Sequence, residues 1–196
     1  DGELSALAKG ARKQNSKLAG GIEPFCLSDI VVVKGKGELY PLTSAKLIRY
    51  YDNIIKDFDR MEFAYKVLDI IAKSSRGISG GKWFEILADT LKGIDRLNMD
   101  LRTVKAWFYI NIAGELGDEL NLRTDADGLA IDESKKYIYD VESKNLVASD
   151  VGNITANHLK LMRIMSKGDM NLIAKISGIS EYLDDVLGAA SSHFGL

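Results

Sequence analysis

The first part of the chain has the hydrophobic and polar pattern of short β-strands. Residues 3–8 alternate polar and apolar side chains, as a half-buried strand does, and residues 27–33 are rich in β-branched residues. A Gly35-Lys-Gly turn separates this second strand from a third that begins at Glu38, and Gly20-Gly21 marks a further break. Short strands joined by glycine-rich turns are typical of a small barrel or sandwich.

From Thr43 onward, apolar residues recur every three to four positions, as in amphipathic helices. The first three predicted helices span residues 45–54, 59–73 and 82–94. Their predicted apolar faces include Tyr65 and Phe84. A fourth helix, over residues 101–116, is apolar almost all round, so we expect it to be central.

Short strands return before the last helices. Residues 137–147 have the pattern of a hairpin, and Asn153 or Thr155 is a suitable cap for the helix that follows. Two closing helices end near Phe194. The pattern therefore predicts a β-rich head, a helical body, a small β insertion and a helical tail.

The composition is that of a chain that folds. Of its 196 residues, 46% are hydrophobic and 28% charged, which excludes a disordered or low-complexity protein. The single cysteine, Cys26, excludes a disulfide framework and is expected to be a small core residue. No apolar run approaches the roughly 20 residues that span a bilayer, and no secretion signal is recognisable, so we expect a cytoplasmic protein.

Candidates for catalysis or cofactor binding are few. The only histidines, His158 and His193, fall in the closing helical region, where a structural or surface role is expected. Asp125 and Asp127 indicate a solvated turn, because the closing glutamate of a calcium loop is missing. Glycine-rich phosphate motifs are incomplete. We therefore expect a protein that is not an enzyme and that needs no metal or cofactor.

Positive charge is concentrated near the start of the sequence. Residues 1–50 contain 8 Lys or Arg and 5 Asp or Glu, whereas residues 101–150 contain 6 and 10. Four cations occur within nine residues, at Lys9, Arg12, Lys13 and Lys17. A loop of this kind suits contact with phosphates, independent of base sequence. A solvated basic loop that binds nothing is equally compatible with the composition.

Residues 8–25, AKGARKQNSKLAGGIEPF, resemble the signature of the bacterial recombination mediator RecO, where a basic run closes part of an amino-terminal OB barrel. The aromatic and aliphatic face at residues 83–91, and a Leu-Gly step at Leu116, are also similar to that family. The resemblance implies an α+β fold. It places a partial OB-type β-barrel at residues 1–43 and a helical domain at residues 44–196, with a β insertion near residues 120–149.

Two departures from the family bear on these expectations. Family members have further strands ahead of the position of Asp1, and only three strands of the barrel are recognisable, so we expect a partial barrel. Many members also have a four-cysteine zinc site after the central helix. Residues 117–128 contain no cysteine, so zinc is not carried over, and we expect strand pairing and packing to hold the insertion.

The resemblance implies a recombination mediator without catalytic activity, acting in gap and double-strand-break repair of the RecF pathway in the cytoplasm, at the nucleoid. RecO proteins anneal complementary strands and help to load RecA onto DNA coated with the single-strand DNA-binding protein. The implied partners are single- and double-stranded DNA, RecR and the tail of the single-strand DNA-binding protein. The implied DNA contacts are Lys9, Arg12, Lys13 and Lys17, with Ser16 as a phosphate donor. Lys34 and Lys36 are added on charge alone.

The alternative is a docking module of a repair complex with little DNA binding of its own. With a partial barrel, the helical body would serve mainly as a surface for other repair proteins. A variant without the basic residues separates the two hypotheses, because docking should survive the change and DNA binding should not.

Overall fold

The structure, a computed structural model, describes residues 4–11, 13, 15–34, 39–76, 78 and 80–196. Its residues form two compact units, Asp1–Asp95 and Arg96–Leu196. The boundary predicted from the sequence instead lies after residue 43, and these domain limits stay a prediction. The fold class is confirmed as α+β, with an open amino-terminal sheet followed by helices and a small hairpin.

The amino-terminal unit begins with a sheet of three strands. These are β1 (Ala6–Leu7), β2 (Cys26–Val32) and β3 (Tyr40–Tyr50), in the order β1-β3-β2. β1 pairs with β3 in parallel and β2 pairs with it antiparallel, with register shifts beside Ser28 and Val32. Among the residues described, the strands do not close into a barrel.

The helix predicted over residues 45–54 is wrong. β3 continues through Tyr50, and only a short 3-10 turn, Ile54–Lys56, follows it. The apolar residues of this stretch are compatible with a helical period, but antiparallel pairing with β2 satisfies the backbone along the strand. Pairing with β2, which is distant in sequence, therefore outweighs the local helical periodicity and makes this stretch a strand.

Two helices complete this unit, α1 (Phe58–Ser74) and α2 (Trp83–Asp95). The Asp57 side chain caps α1 by accepting a hydrogen bond from the Arg60 N–H. The buried Asp95 carboxylate accepts hydrogen bonds from the Asn53 N–H and from Arg49, which ties the end of α2 to the end of β3. Both helices match the periodicity, but Tyr65 and Phe84 are exposed, so their assignment to the buried faces is wrong.

The carboxy-terminal unit is built around α3 (Leu101–Glu115). Its other helices are α4 (Ala156–Lys167), α5 (Met170–Ile173) and α6 (Leu183–Phe194). α3 is buried on nearly all sides, as predicted, and its Trp107 indole donates to the Gly168 carbonyl at 2.9 Å. The Tyr109 ring stacks on Phe194 of α6 with centroids 5.6 Å apart, and burial raises the pKa of Tyr109 to about 12.

The predicted hairpin is present as β4 (Tyr137–Asp140) and β5 (Asn145–Ala148), paired antiparallel. Tyr137 also exchanges backbone hydrogen bonds with Ile154, and Gly152 lies against the Tyr137 backbone so closely that a Cβ would be 2.5 Å from its carbonyl oxygen. Asp125 is buried, and its carboxylate accepts the N–H groups of Asp127 and Leu129. Strand pairing and local turns therefore hold the insertion, and the description of Asp125 as solvated is wrong.

Within the described parts of the chain, no helix has the length and apolar character needed to cross a membrane. Nor do any three or more His, Cys, Asp or Glu side chains there come together as a metal site.

Candidate nucleic-acid interface

The basic residues near the start of the chain lie in the connection from β1 to β2. We call residues 8–18 the basic loop. Successive turns give it its path: the Lys13 N–H donates to the Gly10 carbonyl at 3.0 Å, and the Ser16 N–H donates to the Lys13 carbonyl at 2.9 Å. Gly10 has a φ of +74°, a conformation that favours glycine. The described residues of the loop therefore follow tight turns.

The carboxyl end of the basic loop is fixed against β3. Leu18 is buried, and a 3-10 turn over Ala19–Gly21 follows it. Gly21 lies directly on the β3 backbone, where a Cβ would be 2.6 Å from the Ala45 carbonyl oxygen. The Ser28 hydroxyl donates to the Gly21 carbonyl at 2.7 Å, which ties the turn to β2 as well.

Phe25 completes this anchor. Its side chain is buried, its φ is +59°, and its ring meets that of Tyr65 on α1 edge-on, with centroids 5.0 Å apart. The Tyr51 N–H donates to the Phe25 carbonyl at 3.1 Å. The basic loop thus connects the short edge strand β1 to the tightly packed turn at Ala19–Gly21.

The predicted lysine contacts that the structure describes in the basic loop are open to solvent. Lys9, Lys13 and Lys17 are exposed, and none of the ion pairs in the described part of the chain uses them. Ser16 is half-buried, and its oxygen accepts the Leu18 N–H at 3.3 Å, which leaves the hydroxyl proton available to a phosphate. Arg12 lies outside the described residues.

Lys34, also exposed, follows β2 on the other side of β3. Leu7 pairs with Pro41 from one side, and the Val33 N–H donates to the Pro41 carbonyl from the other. The strands that lead to Lys9 and Lys34 therefore flank one point of β3, two strand spacings or about 10 Å apart. Lys36 lies outside the described residues.

Arg49 of β3 is a cation that forms an ion pair within the protein. Its guanidinium pairs with Asp95 at 3.3 Å and lies 4.9 Å from the centre of the Tyr51 ring. Cys26 is half-buried rather than fully in the core, and burial raises the pKa of its thiol. Neither side chain adds to the interface.

Both histidines have partners inside the carboxy-terminal unit. The His158 Nδ1 accepts the Thr155 N–H at 3.1 Å, as part of a capping box at the start of α4. His193 lies between the Tyr139 hydroxyl and the Asp118 carbonyl oxygen, each 2.7 Å from a ring nitrogen. Both rings are buried and join segments of the fold.

An open sheet with an anchored basic loop, followed by helices, defines an α+β protein with an OB-type amino-terminal region. Residues 1–51 match the family described as "Recombination protein O N terminal". A curated relative from Alkaliphilus metalliredigens, named "DNA repair protein RecO", is 29% identical over 112 residues, which cover 57% of this chain and 45% of the relative. Its namesake from Thermoanaerobacter sp. is 26% identical over 204 residues, covering 96% of this chain and 79% of that relative.

The resemblance to the RecO family is thereby confirmed. It spans less than half the length of the relatives from Alkaliphilus metalliredigens and Syntrophomonas wolfei, 45% and 46% respectively. The activity, substrates and partners of those whole proteins are therefore proposals for this chain.

What positions the basic loop cannot be read from the sequence. Gly21 marks a break there, but its close contact with Ala45 depends on a strand that the periodicity assigns to a helix. Phe25 belongs to the family signature, whereas its packing on Tyr65 joins residues 40 positions apart. Positive φ at a non-glycine residue leaves no reliable signal in one sequence.

Proposed function

We propose that the chain binds DNA through the basic loop and acts as a recombination mediator in DNA repair. The observation that carries this proposal is the exposure of Lys9, Lys13 and Lys17 on a loop whose carboxyl end is anchored. Because they form no ion pairs within the described residues, their charges are available to phosphates. The relatives that bear the name "DNA repair protein RecO" support the biological setting.

Binding of this kind reads the backbone rather than the bases. Lysines that contact phosphates release counterions from the nucleic acid, so affinity falls steeply as salt rises. Both single- and double-stranded DNA present such phosphates. The open sheet beside the loop offers a surface along which a DNA strand can lie. Proteins with an OB fold bind single-stranded nucleic acid on such a surface.

The finer role follows from the RecO resemblance. We propose that the protein anneals complementary strands and helps to load RecA onto DNA coated with the single-strand DNA-binding protein. RecR and the tail of the single-strand DNA-binding protein are its proposed protein partners. We propose further that it works by binding and not by catalysis, which the structural engagement of His158 and His193 supports.

The test replaces Lys9, Arg12, Lys13 and Lys17 together with alanine and measures the fluorescence anisotropy of a labelled single-stranded oligonucleotide over a series of salt concentrations. Each phosphate that the variant no longer neutralises should make the slope of log affinity against log salt shallower by about 0.7. A matched control replaces Lys56 and Lys73, which are exposed but paired with Asp52 and Asp69.

We expect the control to bind DNA as the unchanged protein does. If the four-residue variant keeps the full salt slope, the DNA contact lies elsewhere in the chain. If the unchanged protein, shown to be folded, does not bind at low salt, the DNA-binding proposal is wrong.

A second candidate function, a docking module for repair proteins, is favoured by the apolar surface of β2 and β3. Ile30, Val31 and Ile48 remain largely exposed on these strands. Exposed apolar side chains on the strands of an open sheet are available for protein contacts. Capture of purified RecR by an unchanged protein that does not itself bind DNA would support docking as the main role.

A further inference from the structure

The outer face of α4 carries only positive charge. The helix contains no Asp or Glu, and its three charged residues, Lys160, Arg163 and Lys167, are spaced by three and four. Residues at that spacing share one face of a helix. The opposite face is buried in the carboxy-terminal unit through His158, Leu159, Leu161, Met162 and Met165.

A groove of about 370 Å³ lies beside the last turns of this helix. Its polar lining residues are Glu119, Asn121, Arg123, Arg163, Ser166 and Lys167. The Arg163 guanidinium builds one wall, because it donates to the Leu122 carbonyl at 3.0 Å and pairs with Glu133 at 2.6 Å. The extended segment with Arg123 is thereby fixed against α4.

Three of the cations at this place are open to solvent. Arg123, Lys160 and Lys167 are exposed, and none of the ion pairs in the described ranges involves them. With Arg163 balanced by Glu133, the groove itself has two such cations against one acid, Glu119. A positive surface therefore persists in a unit that has 11 Lys or Arg and 15 Asp or Glu over residues 96–196.

The chemistry of the groove favours phosphates over an apolar peptide. Leu120 and Leu122, the two leucines in its lining, are buried, so no large apolar side chain there is free to anchor a partner. From Lys160 to Lys167 the helix rises about 10 Å. That length exceeds the spacing of neighbouring phosphates in one strand of duplex DNA, which is roughly 3.4 Å along the axis.

We propose that Arg123, Lys160 and Lys167, here called the α4 stripe, form a second nucleic-acid contact that binds the phosphates of a single strand. This inference rests on the proposed DNA-binding function and adds a site in the other compact unit. Each unit would then hold nucleic acid by its own cations. A protein that anneals strands needs to hold two of them, and two independent contacts provide that capacity.

The test compares three variants of the full chain in oligonucleotide anisotropy over a salt series. The stripe variant is Arg123→Ala/Lys160→Ala/Lys167→Ala, which leaves Arg163 and its structural bonds in place. The matched control, Lys135→Ala/Lys136→Ala/Lys175→Ala, removes three exposed cations from the same unit. The third is the basic-loop variant described above. Thermal unfolding confirms that each is folded.

We expect the stripe variant to bind at least tenfold more weakly and to have a salt slope shallower by about 2, since each phosphate contact contributes about 0.7. The control should stay within twofold of the unchanged protein. Annealing of two complementary oligonucleotides should slow in the stripe variant by more than in the control.

Several outcomes would overturn the inference, and they are distinct from failure of the proposed function. Equal reductions of affinity in stripe variant and control would mean that only overall charge matters. An unchanged stripe variant, beside a basic-loop variant that no longer binds, would overturn the second site alone. Binding of a labelled ten-glutamate peptide is measured in parallel. If the stripe variant no longer binds the peptide that the unchanged protein binds, and still binds DNA normally, the stripe is a contact for an acidic protein and the inference is wrong. No DNA binding by the unchanged protein would overturn both proposals.

Discussion

The sheet of the amino-terminal unit and the central helix of the carboxy-terminal unit place their apolar residues in opposite surroundings. On β2 and β3 of the amino-terminal unit, Val31 and Ile48 are 54% and 62% exposed, whereas Phe108 and Ile112 on α3 of the carboxy-terminal unit are wholly buried. The open sheet satisfies its backbone by pairing and leaves apolar surface for contacts, while the central helix stabilises its unit by burial. The sheet is suited to presenting apolar surface, and the central helix is suited to stabilising its own unit.

Truncation of buried and exposed apolar residues tests this contrast most directly. Phe108→Ala should lower the free energy of unfolding by about 3–5 kcal/mol, because it removes a fully buried aromatic side chain and leaves a cavity. Ile48→Ala on β3 should change it by no more than about 0.5 kcal/mol, as is usual for surface substitutions. Urea unfolding followed by circular dichroism measures both. Similar destabilisation in the two variants would mean that the sheet is covered in solution.

A second experiment concerns the close contact between Gly21 and β3. Gly21→Ala should cost about 1–3 kcal/mol, because the new Cβ would overlap the β3 backbone, 2.6 Å from the Ala45 carbonyl oxygen. DNA affinity should also fall, since the anchor of the basic loop would shift.

The neighbouring residue supplies the control for this prediction. Gly20→Ala should be tolerated, because nothing lies within 4 Å of the Cβ it would add. Both variants are compared by thermal unfolding and oligonucleotide anisotropy. A Gly21 variant as stable as the Gly20 variant would show that the turn does not rest on β3.

The smallest expected effect concerns the acid sensitivity of the carboxy-terminal unit. The Lys144 ammonium, hydrogen-bonded to Asp118, lowers the pKa of that carboxyl below its ordinary 3.8, and the His193 charge acts in the same direction. The stabilisation is therefore fully present above the ordinary pKa and is lost as the pH falls through the lowered one. Because the pair is half-exposed, it should contribute less than about 1 kcal/mol.

Lys144→Gln should therefore lower stability slightly at pH 7 and have no effect at strongly acidic pH. The measurement is the free energy of unfolding in urea at both pH values, with Lys136→Gln, an exposed lysine, as the control. A difference that persists unchanged in acid would mean that Lys144 acts through packing rather than through the Asp118 carboxylate.

Part of this molecule follows from local sequence alone. The central helix α3 is predictable because a 15-residue segment that is apolar almost all round can be accommodated only in an interior. The hairpin of β4 and β5 and the exposed lysines of the basic loop follow equally from neighbouring residues. In each case the signal and the structure it predicts lie within the same few turns of chain.

Other features required contacts between distant residues. β3 is a strand because β2 pairs with it, the basic loop is anchored because Gly21 meets Ala45, and Asp125 is buried because the insertion folds around its turn. The groove at α4 depends on Arg163 holding the Leu122 carbonyl, although the spacing of Lys160, Arg163 and Lys167 is readable in the sequence. Sequence alone thus determined which segments carry charge and which are apolar throughout. Tertiary structure decided which of those charges remain free, because an ion pair or a close packing contact exists only after remote segments meet.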